Sequence, residues 1–124
     1  MQKKVIIYDD DADLLEVCSL ILKARNFEVI IKEKCTEIIQ DIRDHRPDVI
    51  LMDNWIPDIG GVQATRLVKN SPEFSNIPVI FFTANNNVSE LAAEAGADYS
   101  LQKPFELTEL ESIVESAAAK ELKY

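Results

Sequence analysis

Three runs of uninterrupted apolar residues, Val5–Tyr8, Val49–Met52 and Val79–Phe82, constrain this chain more than any other feature. Each is too short for a core helix and suits a strand buried on both faces. Two weaker runs hold equivalent places: Phe27–Ile31, interrupted by Glu28, and Tyr99–Gln102. Between the runs, apolar residues return at helical spacing. Leu14, Val17, Cys18, Ile21 and Leu22 form one such set, with Asp11 or Asp13 as cap, and Ile38, Ile39 and Ile42 form the next. Val62, Leu67 and Val68 follow Gly60-Gly61, and Leu91, Ala92 and Ala95 lie between an asparagine or Ser89 and Gly96. A last helix carries Leu107, Leu110, Ile113, Val114 and Ala117 and is expected to run nearly to Tyr124. Strand then helix, five times over, implies a parallel sheet covered on both faces, an α/β doubly wound fold. No linker, repeat or low-complexity tract intervenes, so residues 1–124 are read as one domain.

Charge narrows the function classes. Asp and Glu number 22 against 13 Lys and Arg, a formal charge of -9. A nucleic-acid surface needs the opposite balance, and so does an anionic membrane. No stretch approaches the ~20 apolar residues of a membrane span, and the apolar run near the N-terminus is too short for a signal peptide. The expectation is a soluble, cytoplasmic protein. Cys18 and Cys35 are the only cysteines, lie in apolar patterns and make no CxxC pair, so they read as reduced, packed thiols.

In an open parallel sheet, ligands bind beyond the C-terminal ends of the strands. Those ends carry Asp9 and Asp10 after the first run, Asp53 after the third, Thr83 after the fourth and Lys103 after the fifth. Taken singly, each has a plain reading. The aspartates suit turns and caps, Thr83 can cap the segment after it, and Lys103 can be a solvated surface lysine. Their joint occurrence favours a site. Carboxylates 4 Å apart repel by about 4 kcal/mol at an effective dielectric near 20. A divalent cation offsets that, and hard oxygen ligands favour magnesium. Such an ion orients a phosphoryl group, Thr83 offers it a hydroxyl and Lys103 a point charge. Asp53, ending a central strand, is then the nucleophile.

With these residues assembled, the sequence resembles a response-regulator receiver domain of bacterial two-component signalling, similar to the stand-alone chemotaxis regulator. The resemblance rests on Asp9-Asp10, Asp53 followed by Pro57 and Gly61, Thr83-Ala84 and Lys103-Pro104, and covers Val5 to about Ala119. It implies a flavodoxin-like sheet in the order 2-1-3-4-5. It implies that Asp53 takes a phosphoryl group from a sensor histidine kinase or histidine phosphotransfer protein. It implies Mg2+ held by Asp9, Asp10, Asp53 and the backbone carbonyl of Trp55, and a cis Lys103–Pro104 peptide. The expected protein is a phosphoacceptor rather than an enzyme with external turnover. It is expected to be a monomer or a weak phosphorylation-linked dimer, to bind neither nucleic acid nor membrane, and to signal to an unnamed protein target. The sequence has no effector domain after the receiver pattern, so docking or onward relay is the expected output.

Several positions depart from the family pattern or test it. Ser100 stands where the family carries a switch aromatic, and Tyr99, one residue earlier, should face the other side of the sheet. Asn85-Asn86-Asn87 shortens the fourth helix to about two turns, which suggests a modified or mobile partner surface. Trp55 and Asn85 are expected to border the phosphoryl group, where the indole would restrict attacking water and lengthen the life of a phosphoaspartate; the plainer reading is that Trp55 lies over the loop or toward a partner. His45, the only histidine, sits at a helix exit and reads as a solvated group. Rival readings are weaker. A phosphatase of the haloacid dehalogenase kind needs an aspartate where Trp55 stands, and a nucleotide or flavin binder needs a glycine-rich loop after the first strand. A receiver that docks partners without phosphorylation stays open, because of Ser100.

Overall fold

The computed structural model describes residues 2–54, 59–84, 86–119 and 122. Strand and helix alternate throughout: β1 (Lys3–Tyr8), α1 (Ala12–Ala24), β2 (Phe27–Lys32), α2 (Ile38–His45), β3 (Val49–Asp53), α3 (Gly60–Lys69), β4 (Val79–Thr83), α4 (Val88–Ala95), β5 (Tyr99–Gln102) and α5 (Leu107–Ala118). The strands form one parallel sheet in the order β2-β1-β3-β4-β5, the doubly wound, flavodoxin-like arrangement expected. β3 and β4 are buried along their whole length, which their unbroken apolar sequences require. β2 and β5 are the edges, and that is why they tolerate Glu28, Ser100 and Gln102.

Local chemistry sets the helix ends. The Asp11 carboxylate caps α1 by accepting from the backbone N–H groups of Asp13 and Leu14 at 3.1 and 3.2 Å. α5 starts with a capping box in which Glu106 and Glu109 satisfy each other's backbone donors. Gly96 closes α4 in the left-handed region, φ 83°, where the Gly96 and Ala97 N–H groups reach back to the carbonyls of Ala93 and Ala92. α4 has eight residues, the two turns anticipated, and Asn87 stands at its N-cap position without a side-chain capping bond.

Side chains alternate across the sheet and divide the core in two. Ile6, Tyr8, Ile50, Met52, Val79 and Phe81 pack under α2, α3 and α4, against Ile38, Ile42, Ala64, Val68, Val88 and Ala92. Val5, Ile7, Val49, Leu51, Ile80, Phe82 and Leu101 pack under α1 and α5, against Leu15, Cys18, Leu22, Leu110 and Val114. Both cysteines are buried and form no disulfide.

α5 is shorter than its sequence pattern suggests. It ends at Ala118, with Ala119 at the C-cap, and does not run nearly to Tyr124. Leu122 continues the spacing of Val114 and Ala118, yet it packs against the α2–α4 cluster rather than the α1–α5 cluster. A continuous helix would keep Leu122 on the α5 side, so burial on the far side overrides the periodicity.

Candidate functional site

Strand parity decides which side chains meet. Asp9 shares the alternation of Val5 and Ile7, Asp53 that of Leu51, and Lys103 that of Leu101, so all three turn toward the α1–α5 side. Asp53 lies in register beside Phe82 of β4, and Phe82 beside Leu101 of β5. Asp9 is 1% exposed and Asp53 4%, whereas Asp10, just past the strand, is exposed. Carboxylate oxygens of Asp9, Asp10 and Asp53 all lie within 4.8 Å of one another.

Lys103 answers this charge. Its ammonium donates to Asp9 Oδ2 at 2.7 Å and to Asp53 Oδ1 at 3.1 Å. The Lys103–Pro104 peptide is cis, as the resemblance implied. Burial pulls the Lys103 ammonium downward, but hydrogen bonds and attraction from Asp9 and Asp53 outweigh it and hold the group above its ordinary range. Three carboxylates then face one ammonium, leaving two formal negative charges for a further cation to balance. All the donors are hard oxygens, so the set fits a divalent ion of the magnesium type. The nearby Cys18 thiol is pushed up to about 11, by burial first and by Asp9 second, with Lys103 opposing, so it is a neutral packing group.

The backbone around Asp53 is clamped from the α3 side. Gly61 N–H donates to the Asn54 carbonyl at 3.1 Å. A Cβ on Gly61 would lie 1.9 Å from the Asp53 carbonyl oxygen and 2.8 Å from its carbon, so only glycine permits this approach. The sequence motif included Gly61, but its contact with Asp53 follows only from the packing.

Thr83 ends β4, is fully buried, and follows the parity of Phe81 toward the α2–α4 side. Its carbonyl accepts the Lys103 N–H at 2.9 Å, so the two residues are joined through backbone. Ser100 lies beside Phe81 on that same side. Tyr99 is 36% exposed and shares the parity of Leu101, on the opposite face from Ser100. It is a surface residue on the far side of the sheet from Thr83, as its offset from Ser100 implies. His45 is the last residue of α2, and its carbonyl accepts from Lys4 Nζ. Trp55, Pro57 and Asn85 lie outside the described residues, and with them the expected carbonyl ligand and the two positions bordering the phosphoryl group.

Two features escaped sequence reasoning. Phe82, read only as core, places its ring face 4.6 Å from the Lys103 ammonium. Tyr8, read as an apolar strand residue, donates its hydroxyl to Asp41 Oδ2 of α2 at 2.8 Å. Strand alternation from Thr83 could have put Phe82 on the Lys103 side, whereas no local signal links Tyr8 to Asp41.

Comparison with known proteins agrees with this geometry. The sequence model of the response regulator receiver domain matches residues 5–115. The DNA-binding response regulator MtrA of Mycolicibacterium paratuberculosis is 30% identical over 112 residues, which are 89% of this chain and 48% of MtrA. The chain thus spans about half the length of the curated relatives it matches. A solved structure from Chloroflexus aurantiacus, of a protein proposed to be a response regulator, is 30% identical with a TM-score of 0.90, over 97% of this chain and 100% of that one. The receiver domain of the sensor histidine kinase PA1611 from Pseudomonas aeruginosa has a TM-score of 0.87 at 24% identity, over 97% and 100% of the two chains, and carries a magnesium ion in its active-site cleft. The chain belongs to the response regulator receiver domain family of two-component signalling.

Proposed function

We propose that this chain, as one receiver domain over residues 1–124, accepts a phosphoryl group on Asp53 from the phosphohistidine of a sensor histidine kinase or a histidine phosphotransfer protein. The observation that carries the reading is a buried Asp53 held by Lys103 at 3.1 Å inside a cluster of three carboxylates. Asp9, Asp10 and Asp53 would hold Mg2+, with the Trp55 carbonyl as a further ligand. Bound there, the ion neutralises and orients the oxygens of the transferring group. An Asp53 carboxylate oxygen attacks phosphorus as the phosphorus–nitrogen bond to the donor imidazole breaks. Lys103 exchanges a carboxylate oxygen for a phosphoryl oxygen, and the Thr83 hydroxyl serves another.

Beside Lys103, Leu14, Val17, Ile21, Pro104, Phe105 and Leu107 line an apolar groove of about 590 Å³. A groove of this kind next to the acceptor supports a protein donor rather than a free metabolite. The formal charge of -9 supports a protein target rather than nucleic acid. The chain acts in the cytoplasm as a monomer or weak phosphorylation-linked dimer, and turns over no external substrate.

The test is incubation with acetyl phosphate and Mg2+ followed by intact mass measurement. A mass gain of one phosphoryl group is expected, absent in Asp53→Asn and without Mg2+. No gain in the natural protein would favour a receiver that docks partners without phosphorylation, the reading that Ser100 keeps open.

A further inference from the structure

Lys103 touches more than carboxylates. An ammonium has three N–H donors, and two of them are engaged by Asp9 Oδ2 and Asp53 Oδ1. The ammonium also lies 4.6 Å from the centroid of the Phe82 ring. Phe82 is fully buried and is fixed between Asp53 on β3 and Leu101 on β5. Its ring is braced in turn by Phe105, with centroids 6.3 Å apart and planes tilted by 53°. Lys103 retains only 18% side-chain exposure, so water screens this contact little.

We propose that Phe82 is a positioning residue: its ring face holds the Lys103 ammonium over the site and lets it move between Asp9 and a phosphoryl oxygen on Asp53. This rests on the reading of Asp53 as the phosphoryl acceptor. The physical reason lies in the shape of the two interactions. A hydrogen bond to Asp9 is directional and weakens steeply when the ammonium turns. Attraction to a ring quadrupole changes slowly as the cation slides across the face. The ring therefore keeps its hold on Lys103 during the exchange of oxygen partners. An aliphatic side chain of similar volume fills the same space but has no negative face. Lys103 then leans entirely on Asp9 and Asp53, the oxygens that magnesium and the phosphoryl group need.

The decisive series replaces Phe82 by singly, doubly and triply fluorinated phenylalanine. These rings pack almost alike, but fluorine drains the electron density of the face. The rate of phosphorylation by acetyl phosphate is expected to fall stepwise with fluorination, to about a tenth for the triply fluorinated ring and for Phe82→Leu. Phe82→Tyr should stay within about twofold of the natural rate. In magnesium-free protein, the Lys103 ε-methylene protons should show a ring-current shift that disappears in Phe82→Leu. A triply fluorinated protein that phosphorylates at the natural rate would overturn the proposal, and so would unshifted Lys103 ε-protons in the natural protein. If the natural protein takes up no phosphoryl group, the acceptor reading falls, while the proton shift still decides whether Phe82 holds Lys103. Should Phe82→Leu fail to fold, the near-isosteric fluorinated rings carry the test.

Discussion

On the α1–α5 side of the sheet, Asp9, Asp53, Phe82 and Lys103 converge from the ends of four strands. On the α2–α4 side, β1, β4 and β5 present Tyr8, Thr83, Ser100 and Gln102. The first group is buried and bound together by charge, through the 2.7 and 3.1 Å contacts of Lys103. In the second group, Tyr8 and Gln102 carry polar links toward the helix layer. Tyr8 reaches Asp41 on α2, and Gln102 donates to Asn86 ahead of α4 at 3.2 Å, on an exposed surface. One face therefore gathers its charge at a single point, and the other spreads its polar links over separate elements. Ser100 adds only a small side chain beside Phe81 on the α4 side.

The contrast can be broken most severely at Gly61, where the two sides share backbone. Gly61→Ala should cost about 3 kcal/mol or more, since the clash is with the Asp53 carbonyl rather than a side chain that can rotate. A lowered urea midpoint at unchanged slope would show it. If the variant is as stable as the natural protein, α3 does not clamp the site.

The next effect tests the charged side. Lys103→Met removes the ammonium that holds two buried carboxylates, and about 2 kcal/mol of stability should go with it in the absence of divalent ions, less than for a fully enclosed pair. Mg2+ should then raise the melting temperature of the variant more than that of the natural protein, because Lys103 competes for Asp9 and Asp53. Equal shifts would mean that the ammonium and the ion do not share those oxygens.

The smallest effect tests the other side. Tyr8→Phe should cost about 1 kcal/mol, the Asp41 carboxylate losing its buried hydroxyl partner. Burial first and Asp41 second hold the Tyr8 phenol above its ordinary range, so the hydroxyl stays protonated and donating through neutral pH. Hydrogen exchange should quicken in α2 but not in α1, with phosphoryl uptake unchanged. Equal loosening of α1 would erase the distinction between the faces.

Much of this was legible in the residues. The unbroken runs ending in Asp9, Asp53 and Thr83 placed three buried strands and their polar tips, because continuous apolar sequence leaves a strand no exposed face. Lys103 was found by position, at the end of the weakest strand. Its grip on Asp9 and Asp53 was not, because it spans 94 and 50 residues of chain. The end of α5 was misread for a related reason. Leu122 fits the helical spacing, and only the competing cluster across the sheet draws it away.

Local sequence determined the alternation of elements, the caps at Asp11 and Gly96, and the set of residue types that could meet a metal and a phosphoryl group. These depend on backbone preference and on periods of two and 3.6, which neighbouring residues carry. Tertiary structure alone decided that Phe82 lies against Lys103, that Gly61 presses on the Asp53 carbonyl, and that Tyr8 ties β1 to α2. Those contacts depend on strand order and register, which set distances between residues far apart in the chain. No local preference encodes a distance of that kind.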